Sequence, residues 1–191
     1  MQFVSGTSVN LSTNVMKGLA RYRHRVFVET LGWPLQARED GLELDKFDRD
    51  DTVYVVARNA IDEVVGTARL LPTSRPYLLG EVFPQLLHGQ PLPSTPEVWE
   101  LSRFAAVDFN AASTTPMRQV SSPVAVDLMR ETMRVAAKLG AERLITFTSV
   151  GAERLLRKGG ARVHRAAPPV IVDGHPVFAC WIDLDTERNL H

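Results

Sequence analysis

A strand-like segment at residues 99–104 combines two ionisable side chains with apolar neighbours. It reads Trp99-Glu100-Leu101-Ser102-Arg103-Phe104, so that a carboxylate and a guanidinium lie three residues apart. Ionised groups near a core are costly unless they are paired or used. A carboxylate here could accept a proton from a reacting group, and a guanidinium could bind both oxygens of a carboxylate. The segment therefore predicts a charged internal site.

The alternation of side chains along a strand limits how these two groups can meet. In a regular strand Glu100 and Arg103 point to opposite faces. A direct ion pair between them needs a β-bulge or a twisted strand end, and both are common beside active sites.

A second group of charged and aromatic residues lies upstream. Its members are Arg23, Phe27, Trp33, Asp45, Asp48 and Arg69. Taken singly, Trp33 is better explained by packing. The two aspartates are also explained by loop capping, and Arg69 is explained equally well as an edge-strand residue facing water. Arg23 and Phe27 are four residues apart and would share one face of a helix. Their common placement beside apolar residues favours the same internal site.

The elements that must position these residues follow from hydrophobic spacing. Helical spacing predicts a helix over 14–30, ended by Gly32 and Pro34. Two strand-like runs, 52–58 and 64–71, flank a short loop and predict an antiparallel hairpin. Later elements are predicted as a strand at 98–106, a helix at 123–139, a strand at 143–148, a short helix at 152–158 and a strand at 177–184. This order predicts an α+β fold in which helices pack on the sheet as an α/β/α sandwich.

Length and composition indicate one domain. The chain has 191 residues, 45% hydrophobic and 23% charged, which suits a single unit over 1–191. Its 22 basic and 22 acidic residues leave no global field for nucleic acid. Cys180 is alone and no His has ligand spacing, so we expect no disulfide and no metal. Without a secretory signal or long apolar run, we expect a cytoplasmic protein that does not enter a membrane, and we favour a monomer.

Charge is nevertheless uneven along the chain. Residues 36–65 hold nine acids and four bases, a net of −5, whereas residues 141–170 hold two acids and six bases, a net of +4. The basic stretch is either a solvated face or a dock for an acidic protein partner. The candidate docking residues are Arg154, Arg157 and Lys158.

The order of elements resembles the GNAT acyltransferase fold, in which a splayed, mostly antiparallel mixed sheet admits a pantetheine arm between two strands. Acetyl-CoA users of that fold have a Gly-rich turn for the pyrophosphate after the fourth strand. Here no Gly occurs between Phe104 and Pro123. An acyl group on a carrier protein therefore fits better than one on CoA.

Nine separated positions resemble the acyl-homoserine lactone synthases of the LuxI type, over residues 21 to 184. They are Arg23, Phe27, Trp33, Asp45, Asp48, Arg69, Phe83, Glu100 and Arg103. The resemblance implies a cytoplasmic acyltransferase that makes a quorum-sensing autoinducer. Its substrates would be S-adenosylmethionine and an acyl-acyl carrier protein or acyl-CoA, with methylthioadenosine as by-product. No cofactor is implied, because S-adenosylmethionine is a substrate.

Chemical roles can be assigned to these positions. Either Arg103 or Arg23 would bind the substrate carboxylate, and Phe27 and Trp33 would accept the sulfonium or stack on adenine. Asp45, Asp48 and Arg69 would complete the charged site. Glu100 would accept the amine proton, directly or through a water. Backbone N–H groups near Phe83 or at 103–104 would meet the thioester oxygen.

Further positions are expected to contact the acyl donor. Ser102 and Phe104 flank Arg103, and by resemblance a Thr in the strand at 143–148 bears on 3-oxo acyl preference, which leaves Thr146 and Thr148 open. Two other functions compete: a GNAT-fold amine N-acyltransferase that forms no lactone, and a binding protein without turnover. Release of methylthioadenosine separates the synthase from the N-acyltransferase, and the intact Glu100 and Arg103 argue against the binding protein.

Overall fold

The computed structural model describes residues 1–35, 40–110, 123–158, 160–172 and 174–184. The strands are β1 (Gln2–Thr7), β2 (Val53–Arg58), β3 (Val64–Pro72), β4 (Val98–Ala106), β5 (Arg143–Thr148), β6 (Arg162–Arg165), β7 (Val170–Val172) and β8 (His175–Asp183). The α-helices are α1 (Thr13–Arg23), α2 (Leu78–Val82), α3 (Pro123–Lys138) and α4 (Val150–Lys158). A π-helix, His24–Thr30, continues α1, and a 3-10 turn, Pro84–Leu87, follows α2.

The strands form one mixed sheet in the order β1-β2-β3-β4-β5-β8-β6, with β7 paired to β8. Strands β4 and β5 are parallel, whereas the other pairs are antiparallel. Parallel neighbours need a crossover connection, and α3 lies between β4 and β5 in the chain. The mostly antiparallel mixed sheet of the GNAT-like fold is confirmed.

Alternating residues give the sheet two different faces. One face packs against α3 and α4 through an apolar cluster that includes Leu70, Leu101, Leu144, Leu128 and Leu156. We call it the apolar face. The opposite face carries α1 and α2, and its buried residues include Arg69 and Glu100. We call this second face the charged face.

A β-bulge in β4 changes which side chains reach the charged face. Thr67 pairs with Ala105 and Arg69 with Ser102, so Ala68 alone opposes two residues of β4. Arg103, one of these two, has a φ of 51°, a left-handed conformation that is uncommon for a residue other than Gly. The extra residue interrupts the alternation of side chains along β4. Arg103 therefore lies on the charged face together with Glu100 and Ser102. A bulge is one of the two features predicted from the sequence to be necessary for a direct Glu100–Arg103 ion pair.

Strands β4 and β5 diverge beside this bulge. Their pairing is limited to three positions, Val98 with Arg143 through Glu100 with Ile145. Beyond Glu100, β4 continues to Ala106 without pairing to β5. The sheet is thus splayed next to Glu100, Ser102 and Arg103.

The sequence predicted the main elements but missed several short ones. The hairpin, the strands at 98–106 and 143–148 and the longer helices are confirmed. The helix α2 and the strands β6 and β7 were missed, because elements of five residues or fewer carry little periodic signal. The strand β1 was missed as well. The predicted helix over 14–30 becomes a π-helix from His24 onward. None of the helices described here is long and apolar enough to cross a membrane.

Candidate active site

Three arginines and three carboxylates form a buried network on the charged face: Arg23, Arg69, Arg103, Glu43, Asp45 and Asp48. Arg23 is fully buried and donates from Nε to Glu43 at 2.5 Å. Its Nη1 and Nη2 donate to the two oxygens of Asp48 at 2.7 and 3.1 Å. All three nitrogens of Arg23 are therefore occupied within the protein.

Arg103 connects two of the carboxylates. Its Nη2 lies 3.0 Å from Glu43 Oε1 and 2.9 Å from Asp45 Oδ2, and its Nε donates to both oxygens of Glu43 at 3.3 Å. The bonds of Arg103 with described residues thus use Nε and Nη2. Between Arg103 and Arg23, the first is better placed to meet a substrate carboxylate.

Arg69 contacts both aspartates of the network. Its Nη1 lies 2.7 Å from Asp45 Oδ1 and 3.3 Å from Asp48 Oδ1, and its Nε donates to Ser102 Oγ at 3.0 Å. The side chain is fully buried. The alternative of an edge-strand residue facing water is therefore wrong for Arg69, because β3 lies between β2 and β4 in the sheet.

Glu43 is the network member that sequence reasoning missed. It is 1% exposed and bridges Arg23 and Arg103. Its neighbourhood, Gly41-Leu42-Glu43-Leu44-Asp45, places carboxylates alternately with leucines. Such alternation ordinarily buries the leucines and exposes the carboxylates, so it gave no signal that Glu43 is buried.

Neighbouring arginines lower the pKa of two carboxyl groups of the network, Asp48 and Glu43. Burial opposes the ionised form of Asp48, but the charges of Arg23 and Arg69 outweigh it and hold the pKa of Asp48 well below its usual range. Burial likewise opposes ionisation of Glu43, and its bonds with Arg23 and Arg103 keep its pKa below 4.5. Glu43 and Asp48 therefore stay ionised at neutral pH, each held by two arginines.

Glu100 has a different environment from the network carboxylates. Its oxygens accept the backbone N–H groups of Leu78 and Leu79, each at 2.8 Å, at the start of α2. Burial raises the pKa of Glu100 to about 7, against the opposing effect of these two N–H groups. A carboxylate with a pKa near neutrality is suited to accept and release a proton. The bulge brings Glu100 and Arg103 to one face, but Arg103 pairs with Glu43 and Asp45 instead of Glu100.

Aromatic rings lie beside Arg103. Phe27, in the π-helix, stacks on Trp33 with ring centroids 4.8 Å apart. The Arg103 guanidinium lies 5.6 Å from the Phe27 centroid and 5.9 Å from that of Trp33. Trp33 is 40% exposed, so the stacked pair joins the network to the surface. Such a pair can hold a flat ring or a cation.

Phe83 lies at the other end of the charged face. It follows α2 and packs against Phe147 of β5, with centroids 4.8 Å apart. Phe147 and Ile145 belong to an apolar cluster that also contains Phe47 and Leu79. This cluster places Phe83 on the Glu100 side of the splayed strands.

The predicted residues Phe104, Thr146 and Thr148 lie on the opposite side. Phe104 packs against the apolar-face cluster. Thr146 pairs with Cys180 and Thr148 with Phe178, and both partners are buried in that same cluster. A ligand would have to pass between β4 and β5 to reach these three residues from Glu100.

The basic stretch lies on α4 and β6. Glu153 is almost buried and accepts from Arg157 at 3.2 Å and from Arg165 at 2.7 Å. Arg154 and Lys158, four residues apart, are exposed on the same helix. Arg157 is therefore partly neutralised by Glu153, whereas Arg154 and Lys158 present their charges to solvent.

An open groove of about 610 Å³ lies away from this chemistry. It is bounded by α1, the β2–β3 hairpin and residues 108–110, and none of the six network residues lines it. Its opposite charges partly pair with each other, as Arg58 does with Asp62. Among the residues that the structure describes, no group of His, Cys, Asp and Glu could hold a metal ion.

The splayed mixed sheet, with Glu100 where β4 and β5 part, has the GNAT-like acyltransferase fold. Comparison with known proteins gives the family. A family profile described as "Autoinducer synthase" matches residues 8–191, and the chain belongs to this family. It is 50% identical, over 96% of its length and all of the relative, to an acyl-homoserine-lactone synthase of Acinetobacter nosocomialis.

Solved structures agree with this assignment. TofI, in a ternary complex with an inhibitor and MTA, is 43% identical with a TM-score of 0.83, and the match covers all of this chain and 96% of TofI. BjaI, a CoA-dependent acyl-homoserine lactone synthase solved with SAM and isopentyl-CoA, is 28% identical with a TM-score of 0.81, over 97% of this chain and 84% of BjaI. The protein is therefore an acyl-homoserine lactone synthase, as the sequence predicted.

Proposed function

We propose that this chain joins the acyl group of an acyl-acyl carrier protein to S-adenosylmethionine and closes the lactone at the splayed edge of β4. The observation that carries this is Glu100, a carboxylate with a pKa of about 7, on one face with a fixed arginine–carboxylate network. BjaI is solved with SAM and TofI with MTA, which supports S-adenosylmethionine as the substrate that supplies the attacking amine.

S-adenosylmethionine matches the site group by group. Its carboxylate accepts a charge-assisted hydrogen bond from Arg103 Nη1, because Nε and Nη2 of Arg103 already donate to Glu43 and Asp45. Its sulfonium and adenine meet the exposed stack of Phe27 and Trp33. Its amine then points along β4 toward Glu100. Asp45 and Asp48 keep the surrounding potential from becoming positive, which favours a cationic substrate.

The first chemical step is acyl transfer. Glu100 accepts one proton from the ammonium, because only the neutral amine attacks the thioester. The amine nitrogen bonds to the carbonyl carbon, and the C–S bond then breaks. The second nitrogen proton leaves with the thiol, so that one thiol and one proton are released for each amide formed.

The second step is lactone closure. The methionine-derived carboxylate attacks the carbon next to the sulfonium, and methylthioadenosine leaves. No nucleophilic side chain is needed, because holding the chain in a bent conformation can lower the barrier by several kcal/mol. Buried Cys180, whose pKa burial raises to about 12, is unsuited to act as a nucleophile.

The carrier protein as donor is supported by the exposed charges of α4. Arg154 and Lys158 lie on the helix that follows β5, one of the two splayed strands. A carrier protein with an acidic surface would be steered to this helix and would insert its pantetheine between the strands. Acyl-CoA is the second candidate donor, because BjaI is solved with isopentyl-CoA. We place the reaction in the cytoplasm, where both substrates occur, and propose that one chain suffices.

A donor comparison tests this function. The purified protein is given S-adenosylmethionine with matched acyl chains of several lengths, presented either on carrier protein or on CoA. We expect an acyl-homoserine lactone, with the higher kcat/KM for carrier-bound donors. A higher kcat/KM for CoA donors would reverse the donor assignment. An acylated amine without methylthioadenosine would instead identify an N-acyltransferase that forms no lactone.

A further inference from the structure

The guanidinium of Arg69 has one nitrogen that the network does not use. Its Nη1 and Nε are bonded to carboxylates and to Ser102. Its Nη2 is buried and has no hydrogen-bond partner among the described residues. A buried donor without a partner is rare in folded proteins and calls for an explanation.

The planar geometry of arginine fixes where this unused donor points. One N–H of Nη2 runs parallel to Nε–H, as in the fork that grips a carboxylate. Because Nε donates to Ser102 Oγ at 3.0 Å, Nη2 also points toward the Ser102 side of Arg69. The Ser102 oxygen accepts that bond, so its own hydroxyl proton remains available for donation.

These two donors lie beside the reacting groups. Ser102 is two residues beyond Glu100 on the same face of β4, and β4 parts from β5 directly after Glu100. An acyl thioester that enters between the strands reaches Glu100 and Ser102 together. The negative charge that develops on its carbonyl oxygen needs donors that are already in place.

We propose that Arg69 Nη2–H and Ser102 Oγ–H form the oxyanion hole of the acyl-transfer step. Attack by the amine forms the N–C bond and shifts the carbonyl electron pair onto oxygen, where the two donors stabilise it. Collapse returns that pair, breaks the C–S bond and empties the hole. This assignment rests on the proposed function and replaces backbone N–H groups by side-chain donors.

Separate assay of the two half-reactions tests the assignment. Lactone closure has no thioester oxyanion, so it can be measured alone by supplying synthetic N-acyl-S-adenosylmethionine. For Ser102→Ala we expect acyl transfer to slow by about 10²-fold, as for loss of one oxyanion donor. Closure of the preformed acyl compound and the Kd for S-adenosylmethionine should stay within about threefold of wild type. Ser102→Thr, which keeps a hydroxyl, should recover most of the lost rate.

Arg69→Lys and a control complete the experiment. Arg69→Lys keeps a positive charge but lacks the fork, and we expect a comparable selective loss of acyl transfer. If this variant fails to fold, Ser102→Ala still decides. The control is Thr67→Val, which removes a buried hydroxyl without a described partner on the same strand and should leave both half-reactions unchanged.

Equal loss of both half-reactions in Ser102→Ala, or no loss in either, would overturn the oxyanion assignment. Failure of the proposed function would give a different result. The wild-type protein would then form no lactone, either from S-adenosylmethionine with an acyl donor or from N-acyl-S-adenosylmethionine.

Discussion

The buried network and the basic surface of α4 use the same residue types in opposite ways. In the network, Arg23 and Arg69 are fully buried, and both form ion pairs with Asp48. On α4, Arg154 and Lys158 are exposed. Charges that are buried and paired are held in one geometry, whereas exposed charges keep their freedom and act at a distance. The comparison separates residues that position substrates from residues that attract a partner.

Removal of the proposed proton acceptor should have the largest effect. In Glu100→Gln the side chain keeps its shape but cannot accept the amine proton, so we expect kcat to fall by about 10²- to 10⁴-fold. The rate of lactone formation under saturating substrates measures it. Far-UV circular dichroism serves as the folding control. An activity within tenfold of wild type would exclude Glu100 as the base.

Breaking the network should cost stability. Asp48→Asn leaves Arg23 and Arg69 buried with too little negative charge, and loss of one partner of a buried ion pair costs about 3 to 5 kcal/mol. Urea unfolding measures this change in the free energy of unfolding. Asp127→Asn is the matched control, since Asp127 pairs with Arg130 at the surface of α3 and should change stability by less than about 1 kcal/mol. Equal effects of the two variants would contradict the distinction between buried and exposed pairs.

The pH dependence of the reaction should report Glu100. Burial raises the pKa of Glu100 to about 7, and the group acts as a base only when it has lost its proton. We therefore expect kcat/KM to rise with pH and to level off above about 7. Below that pH it should fall by about tenfold per unit. A profile that levels off near pH 4.5, the ordinary value, would show that Glu100 is not the titrating base.

Changes on α4 should have the smallest effect and should depend on salt. The double variant Arg154→Glu/Lys158→Glu reverses two exposed charges, and we expect KM for the acyl-carrier substrate to rise by several-fold at low salt. The difference should shrink as ionic strength rises. KM for S-adenosylmethionine serves as the internal control and should not change. Arg157 is a poorer probe, because its reversal also disturbs Glu153. An unchanged carrier KM at low salt would reject this docking surface.

The sequence predicted more of the charged site than of the elements around it. Arg23, Asp45, Asp48, Arg69 and Arg103 were found because ionisable residues stand out among apolar ones, and the structure brings them together. Glu43 was missed, because alternation with leucines ordinarily exposes the carboxylates. The partners of Arg103 could not be predicted, because they depend on a one-residue bulge in β4.

The acyl-donor contacts were less predictable. Phe104 and Thr146 were chosen by resemblance, and the structure places them on the apolar face. Which face a residue occupies changes with a single register shift, so strand spacing alone could not settle it. The predicted Gly-free stretch between Phe104 and Pro123 lies partly outside the described residues, at 111–122.

Stoichiometry of the products tests the central claim most directly. The wild-type protein is mixed with S-adenosylmethionine and acyl-acyl carrier protein, and lactone, methylthioadenosine and acylated intermediate are quantified together by mass spectrometry. If the protein carries out both steps, lactone and methylthioadenosine should appear in equal amounts without accumulation of the acylated intermediate. Accumulation of acyl-S-adenosylmethionine without methylthioadenosine would show that the protein acylates the amine but does not close the lactone.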